Sequence, residues 1–221
     1  MKALFVNGSP RKNWNTHKML ESAMKGAAEA GAEVELIHLY DFAFKGCVSC
    51  FACKVKNSKT NGLCAFRDAL TPTLEKAREA DVIVIGSPIY FSYPTAQARA
   101  FLERLMFPVL SYKTGMRNTE VLNRTIPTAM IYTMGAPENL IEARHYPVVL
   151  GENSAFLETL FGYCETLCTI NTWQFNDYSR YDMAEGVEAM KAKHRKEQFP
   201  KDLQNAYKLG KRLVEKARSL A

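Results

Sequence analysis

No apolar run in the sequence approaches the roughly 20 residues that cross a bilayer as a helix. The longest are blocks of four or five, such as Val82 to Ile85, so no membrane association is expected. Met1-Lys2-Ala3-Leu4-Phe5-Val6 begins like a signal peptide, but Asn7-Gly8-Ser9-Pro10-Arg11 breaks it before an apolar segment forms. That pattern predicts a cytoplasmic protein. Gly-x-Gly-x-x-Gly and Gly-Lys-Ser/Thr are both missing after the first apolar run, which argues against a dinucleotide fold and a nucleotide triphosphatase. There is no internal repeat and no low-complexity tract, so solenoid and disordered classes fall away. Neither sign of charge dominates: 29 Lys plus Arg stand against 23 Asp plus Glu, a formal charge of +6 concentrated in the last forty residues. This balance favours small anions and does not demand nucleic acid.

What is present is an ordinary globular composition, 47% hydrophobic and 24% charged over 221 residues. One domain is expected over 1–221, with a C-terminal helical extension from about residue 183. Leu4 to Val6, Val34 to Leu39, Val82 to Ile85, Thr128 to Tyr132 and Cys168 to Gln174 read as strands, separated by helical spacing. The first and third runs are continuously apolar, as strands covered on both faces must be, which predicts a doubly wound, five-stranded parallel α/β sheet with helices on both faces. In the first helix Thr16 is a possible N-cap, Leu20, Ala23, Ala27 and Ala30 share a face, and Gly31 supplies the stop. A second helix runs from about Thr95 to Leu105 with Ala98, Phe101 and Leu105 inward and Arg99, Glu103 and Arg104 outward, ended by Pro108. After Phe199-Pro200, Leu203, Ala206, Tyr207, Gly210, Leu213, Val214 and Ala217 trace the stripe of a final helix whose opposite face, with Lys208, Lys211, Arg212, Lys216 and Arg218, is a solvated surface. Two connections, Gly46 to Arg67 and Phe107 to Arg124, exceed the usual ~2 to 6 residues and are candidates for function.

Gly8-Ser9-Pro10-Arg11-Lys12-Asn13-Trp14-Asn15-Thr16 joins the first strand to the first helix, where an open α/β sheet binds its ligand. The free N–H groups and positive dipole end of the helix suit an anion. Ser9 and Thr16 add hydroxyls, Asn15 an amide and Arg11 a fork of donors, a set suited to a phosphate monoester. Pro88, Ile89, Tyr90 and Phe91 follow the third strand and supply apolar and aromatic surface beside backbone N–H groups. Thr133-Met134-Gly135 follows the fourth strand, and Gly135 allows close backbone approach.

Gly8-Ser9-Pro10-Arg11 through Asn15-Thr16, together with Ser87-Pro88-Ile89-Tyr90-Phe91, resembles the NADPH-dependent FMN reductase family and its iron-sulfur flavoprotein branch over about residues 1 to 135. The resemblance implies a flavodoxin-like fold, bound FMN, NAD(P)H as electron donor, and a homodimer or homotetramer. It assigns the phosphate to Ser9, Arg11, Asn15 and Thr16, and the flavin ring to Pro88 through Phe91, with Thr133, Met134 and Gly135 closing over it. Trp14 departs from the small residue usual in the family. Since the cofactor carries the chemistry, no catalytic side chain is assigned. The expected activity is electron transfer from the nicotinamide through FMN to free flavin, a quinone or a similar small acceptor, or to a protein acceptor.

Cys47-x-x-Cys50-x-x-Cys53, then ten residues, then Cys64, is a spacing that thiolates use to wrap a 4Fe-4S cluster. The iron-sulfur flavoproteins carry such a motif at this place, with a shorter gap to the fourth cysteine. Three states are open for Cys47, Cys50, Cys53 and Cys64: a 4Fe-4S cluster, free or reversibly oxidised thiols, or structural zinc. The polar, lysine-rich gap favours the cluster-free state in protein handled in air. Cys164 and Cys168 are expected to pack near the fifth strand, as small buried thiols often do. His17, His38, His145 and His194 show no pairing with one another or with the cysteines. The Asp177-Tyr178-Ser179-Arg180-Tyr181 turn has the Tyr/Arg character of an interface.

Overall fold

The computed structural model describes residues 1–60, 62–112 and 119–220; Asn61 and part of the second long connection lie outside them. Five strands, β1 (Lys2–Asn7), β2 (Glu33–His38), β3 (Val82–Tyr90), β5 (Thr128–Thr133) and β6 (Cys164–Thr169), pair in the order β2-β1-β3-β5-β6. Every neighbour in that order is parallel. A two-residue strand, β4 (Tyr93–Pro94), folds back antiparallel on β3. The helices are α1 (Asn15–Glu29), α2 (Thr71–Glu79), α3 (Ala96–Met106), the short α4 (Thr119–Leu122), α5 (Glu138–Ala143), α6 (Tyr146–Phe161), α7 (Val187–Glu197) and α8 (Phe199–Ser219). No described helix is long and apolar enough to cross a membrane.

The continuous apolar runs of β1 and β3 split by strand alternation onto two cores. Leu4, Val6, Ile83 and Ile85 join α2, α3 and α6 on one face, while Phe5, Val82 and Val84 join α1 and α8 on the other. Side chains of successive strand residues point to opposite faces, so a strand with no polar position needs helices on both. The fifth parallel strand is Cys164–Thr169, upstream of the expected Cys168 to Gln174. As an edge strand it buries only one of its six residues and reads as polar. Cys164 and Cys168 both lie in this strand, as expected, but Cys164 is half-buried and Cys168 exposed, so neither is a core thiol.

Thr16 is not the N-cap of α1. Trp14 holds that position, with no side-chain cap, and Thr16 is buried in the first turn. The chain leaves the helix through Gly31 at φ +86°. In α3, Thr95 caps Ala98 N–H, and Ala98, Phe101 and Leu105 face inward as expected. Arg104 does not face outward; it is among the largest fully buried side chains.

The apolar stripe of α8 docks on α1. Ser22 Oγ donates to Leu203 O (2.7 Å) near one end and an Arg218 guanidinium N–H to Ala30 O (2.7 Å) near the other, so the two helices run in the same sense. Between these contacts the backbones touch. A Cβ on Gly26 would lie 1.9 Å from Tyr207 O, and one on Gly210 1.9 Å from Ala23 O. The outer face of α8 is laced to its surroundings by Lys211 with Glu29 (3.2 Å) and Arg212 with Glu165 (2.6 Å).

Candidate functional site

The strand order reverses between β1 and β3, and the loops leaving β1, β3 and β5 meet at their carboxyl ends, where such folds bind ligands. Hydrogen bonds knit the three loops. Gly8 N–H donates to Gly86 O (2.8 Å), Thr95 Oγ1 donates to Gly8 O (2.7 Å), and Thr95 N–H donates to Ser87 Oγ (3.0 Å). Thr16 Oγ1 and Thr133 Oγ1, both buried, share a proton at 2.7 Å and join the first loop to the third.

The first loop is shaped by a residue that sequence reading passed over. Asn7, fully buried, accepts the Ser9 N–H on Oδ1 (2.9 Å), and this leaves its Nδ2 to donate to His38 Nδ1 (3.1 Å). The Asn7-Gly8 pair is a recognisable side-chain-to-backbone turn and was the available signal. His38 stacks on His17 with centroids 5.4 Å apart, so these two histidines are paired after all. Burial, and then the neighbouring His17, push the His38 imidazole below its usual value, with Asp41 opposing them.

Ser9 is buried and its Oγ accepts the Arg11 N–H (3.1 Å). The Arg11 guanidinium lies 3.7 Å over the Trp14 ring and donates to Gln174 O (2.6 Å). Asn15 Nδ2 (2.7 Å) and Trp14 Nε1 (3.2 Å) both donate to Trp173 O. Ser9 and Thr16 therefore line the inside of the turn, while Arg11 and Asn15 reach across to the segment that follows β6. What α1 offers an anion is an N-terminus with no side-chain cap and no acidic residue in its first turn.

After β3 the chain forms a hairpin with β4 around Phe91 (φ +49°) and Ser92 (φ +73°). Two left-handed central residues match a two-residue turn whose twist suits the flanking strands. Phe91 is 99% exposed and Tyr90 and Tyr93 are about half exposed, so these aromatics do not serve the core. Tyr90 has its phenol pushed up by partial burial and by Tyr40, against the pull of Arg11.

In the third loop Thr133 and Met134 are buried. The space that a Cβ on Gly135 would take is filled by the Gln174 amide at 2.7 Å, so the close approach that this glycine permits is made by Gln174. Buried Lys191 from α7 donates to Gly135 O (2.7 Å) and Thr172 O (3.3 Å), pinning the loop from behind. The Asp177 to Tyr181 turn is partly internal: Tyr178 is buried against Trp173, and its hydroxyl accepts the Gln174 N–H (2.9 Å).

The cysteines lie apart, in the connection between β2 and α2. Cys47, Cys50, Cys53 and Cys64 line one narrow cavity together with Phe66, Arg104 and Phe107. Its volume is about 10 Å³, room for no more than a water. All four thiols are free, and among the described residues no group of three or more Cys, His, Asp or Glu is arranged to hold a metal ion. The donor set fits a thiolate-ligated centre in chemistry and not in spacing, so the loop would have to open to admit one. Burial pushes the Cys53 thiol up, against the nearby Lys54.

Three charges hold this loop. Arg104 donates to Asp68 (2.6 Å), Phe66 O (2.5 Å) and Lys45 O (3.1 Å). Burial would raise Asp68, but the Arg104 guanidinium and two backbone N–H groups outweigh it and hold the carboxyl below its usual range. The Lys54 ammonium donates to Phe107 O and Leu110 O just past the end of α3. Glu103 accepts the Cys47 N–H (3.1 Å).

The sequence pattern of the NADPH-dependent FMN reductase family matches residues 1–144. Among curated relatives, the chain is similar to an iron-sulfur flavoprotein of Archaeoglobus fulgidus, 35% identical over 106 residues, which are 48% of this chain and 46% of that one. It is 36% identical to an iron-sulfur flavoprotein of Methanocaldococcus jannaschii over 104 residues, 47% of this chain and 51% of the other. The chain thus spans about half the length of these relatives. Among solved structures, NAD(P)H:quinone oxidoreductase from Methanothermobacter marburgensis superposes with a TM-score of 0.65 over 96% of both chains, at 16% identity. A flavodoxin from the domain Archaea covers 99% of both chains with a TM-score of 0.51 at 15% identity. These likenesses show a flavodoxin-like fold.

Proposed function

We propose, from the premise that the chain belongs to the NADPH-dependent FMN reductase family, that it binds FMN at the meeting of the three loops and passes electrons from NAD(P)H to a small acceptor. The observation that carries this reading is the junction itself: an uncapped helix N-terminus, two buried hydroxyls and an exposed aromatic hairpin converge at the β1/β3 switch point. Bound FMN supplies hydride acceptance and electron release. Ser9, Arg11, Asn15 and Thr16 hold the phosphate with the first-turn N–H groups of α1. Arg11 can do so while one N–H stays on Gln174 O, because a guanidinium has five donors. Pro88, Ile89, Tyr90 and Phe91 orient the ring, and Thr133, Met134 and Gly135 bound its other edge, chiefly through backbone, since Met134 is buried. No side-chain acid or base is assigned.

The same reading makes the protein a cytoplasmic homodimer or homotetramer, with the exposed Phe91 and Tyr93 available to a second copy. The test is a binding comparison: FMN should bind one per chain and more tightly than riboflavin, and equal affinities would remove the phosphate from the loop. Parallel initial-rate lines with NAD(P)H and a quinone are expected if donor and acceptor share one face of the ring.

A second reading rests on the common cavity of Cys47, Cys50, Cys53 and Cys64. In it these four thiolates hold a 4Fe-4S cluster and the protein is an electron carrier. Iron and sulfide analysis after anaerobic preparation decides: close to four of each per chain, lost in Cys50→Ser, favours the carrier.

A further inference from the structure

Behind the phosphate loop lies a second cavity, of about 250 Å³, between the start of α1, the end of α7 and the start of α8. Its walls differ in kind. Trp14, Trp173, Phe199 and Leu203 make an apolar and aromatic side. Lys18 and Arg195 make a cationic side, with His194 and Asn176 beside them, and no carboxylate lines the cavity. The larger opening next to it, which shares His194, is of mixed sign, with Glu138, Glu197 and Asp202 beside Lys193 and Lys201.

Among the described residues neither Lys18 nor Arg195 forms an ion pair, and Arg195 rests 5.2 Å over the Trp173 ring. Both ring nitrogens of His194 are buried without a hydrogen-bond partner. Asp202 lies 3.9 Å away, but its two oxygens are taken by Thr169 (2.5 Å) and Gln198 (2.8 Å). The mouth is built, since Trp14 and Asn15 both donate to Trp173 O.

We propose that this cavity binds a planar aromatic ring bearing a phosphate, the chemistry of a mononucleotide. The phosphate meets Lys18 and Arg195, and the ring lies against the indoles. Aromatic walls with a few convergent polar groups are the usual make-up of a small-molecule site. The site does not depend on the flavin reading.

The chain has two tryptophans, and both line this cavity, so intrinsic fluorescence reports on it. The full chain is titrated with 5′-AMP, adenosine and inorganic phosphate, with and without saturating FMN. A saturable change with 5′-AMP at about 0.1 to 1 mM is expected, at the same affinity in both conditions. Adenosine and phosphate alone should bind about tenfold more weakly or worse, and Lys18→Gln with Arg195→Gln should raise the 5′-AMP dissociation constant about tenfold or more. 2′,5′-ADP that binds more tightly than 5′-AMP and competes with NADPH would identify the ligand as half of a dinucleotide; tighter 5′-AMP without competition would identify a free mononucleotide. No saturation up to about 10 mM, an unchanged constant in the double variant, or displacement of FMN by 5′-AMP would each overturn the proposal. Failure of FMN to bind leaves the 5′-AMP titration intact, so the two readings fail separately.

Discussion

The three-loop junction and the cysteine loop both emerge from the same sheet, yet they are held in opposite ways. At the junction the loops continue directly from β1, β3 and β5, and short neutral hydrogen bonds such as Thr16 to Thr133 and Gly8 to Gly86 fix them to one another. The cysteine loop has little regular structure between Asp41 and Thr71 beyond one short turn at Ala52–Lys54, and three charged side chains hold it to α3 and the residues just past it: Arg104 donates to Asp68, Lys54 donates to two backbone carbonyls, and Glu103 accepts the Cys47 N–H. A site positioned by backbone is ready before its ligand arrives. A loop positioned by a few charged side chains can be released by removing one of them.

The sharpest way to break this contrast is at Arg104. Arg104→Gln leaves Asp68 without its partner, and loss of one member of a buried pair costs about 3 kcal/mol. Urea denaturation should show that loss while FMN affinity of the folded protein is unchanged. A fall in FMN affinity as large as the fall in stability would show that the two regions are one mechanical unit.

Arg11→Ala attacks the other side. Loss of a charge-assisted phosphate contact costs about 1.5 to 3 kcal/mol, so FMN should bind some ten- to a hundredfold more weakly while riboflavin is unaffected. Fluorescence titration of both ligands checks it. Equal weakening of both would mean that Arg11 acts through its bond to Gln174 and not through the phosphate.

A smaller effect is expected from Lys191→Met, which frees Gly135 O and Thr172 O. FMN affinity should drop about fivefold, near 1 kcal/mol, with thiol reactivity of the cysteine loop untouched. Thiol titration alongside flavin binding separates the two.

The smallest effect is that of pH. His38 and His194 are both held below the ordinary 6.5, first by burial; His17 and Lys12 add to this at His38 while Asp41 opposes, and Lys191 adds at His194 while Asp202 opposes. The unfolded chain therefore takes up protons before the folded one. Stability present at pH 7 should decline as pH falls below 6.5 and level off once the folded histidines are protonated. His38→Gln should flatten the decline in a thermal melt series. A slope unchanged by that substitution would show that protonation at His38 is not felt through Asn7.

How much of this was legible follows from what each residue depends on. The continuous apolar character of β1 and β3 announced helices on both faces, and the stripe of α8 announced its docking, because both are periodic and local. The last strand was misplaced because Cys-Glu-Thr-Leu-Cys-Thr at a sheet edge carries no apolar signal. Arg104 was read as surface because its burial depends on Asp68, 36 positions earlier and in a loop. Arg11 and Asn15 lie between β1 and the first turn of α1, but their partners at Gln174 and Trp173 lie some 160 positions away and leave no trace in the local pattern. Asn7 was legible in principle, through its turn with Gly8, and was hidden by its position inside a strand.

The backbone contacts at Gly26 and Gly210 have a mechanical meaning. Helices that touch through side chains sit 8–10 Å apart and can adjust by changing rotamers. Here peptide meets peptide, and nothing at the crossing can rotate away. The crossing works like the rivet of a pair of scissors, with α1 and α8 as its blades. Lys18 stands eight residues from Gly26, about 12 Å along the helix, and the blades part toward that end around the space between Trp14 and Phe199. A single methyl added at the rivet would therefore be read at the far tips, as a change in the gape between the start of α1 and the start of α8.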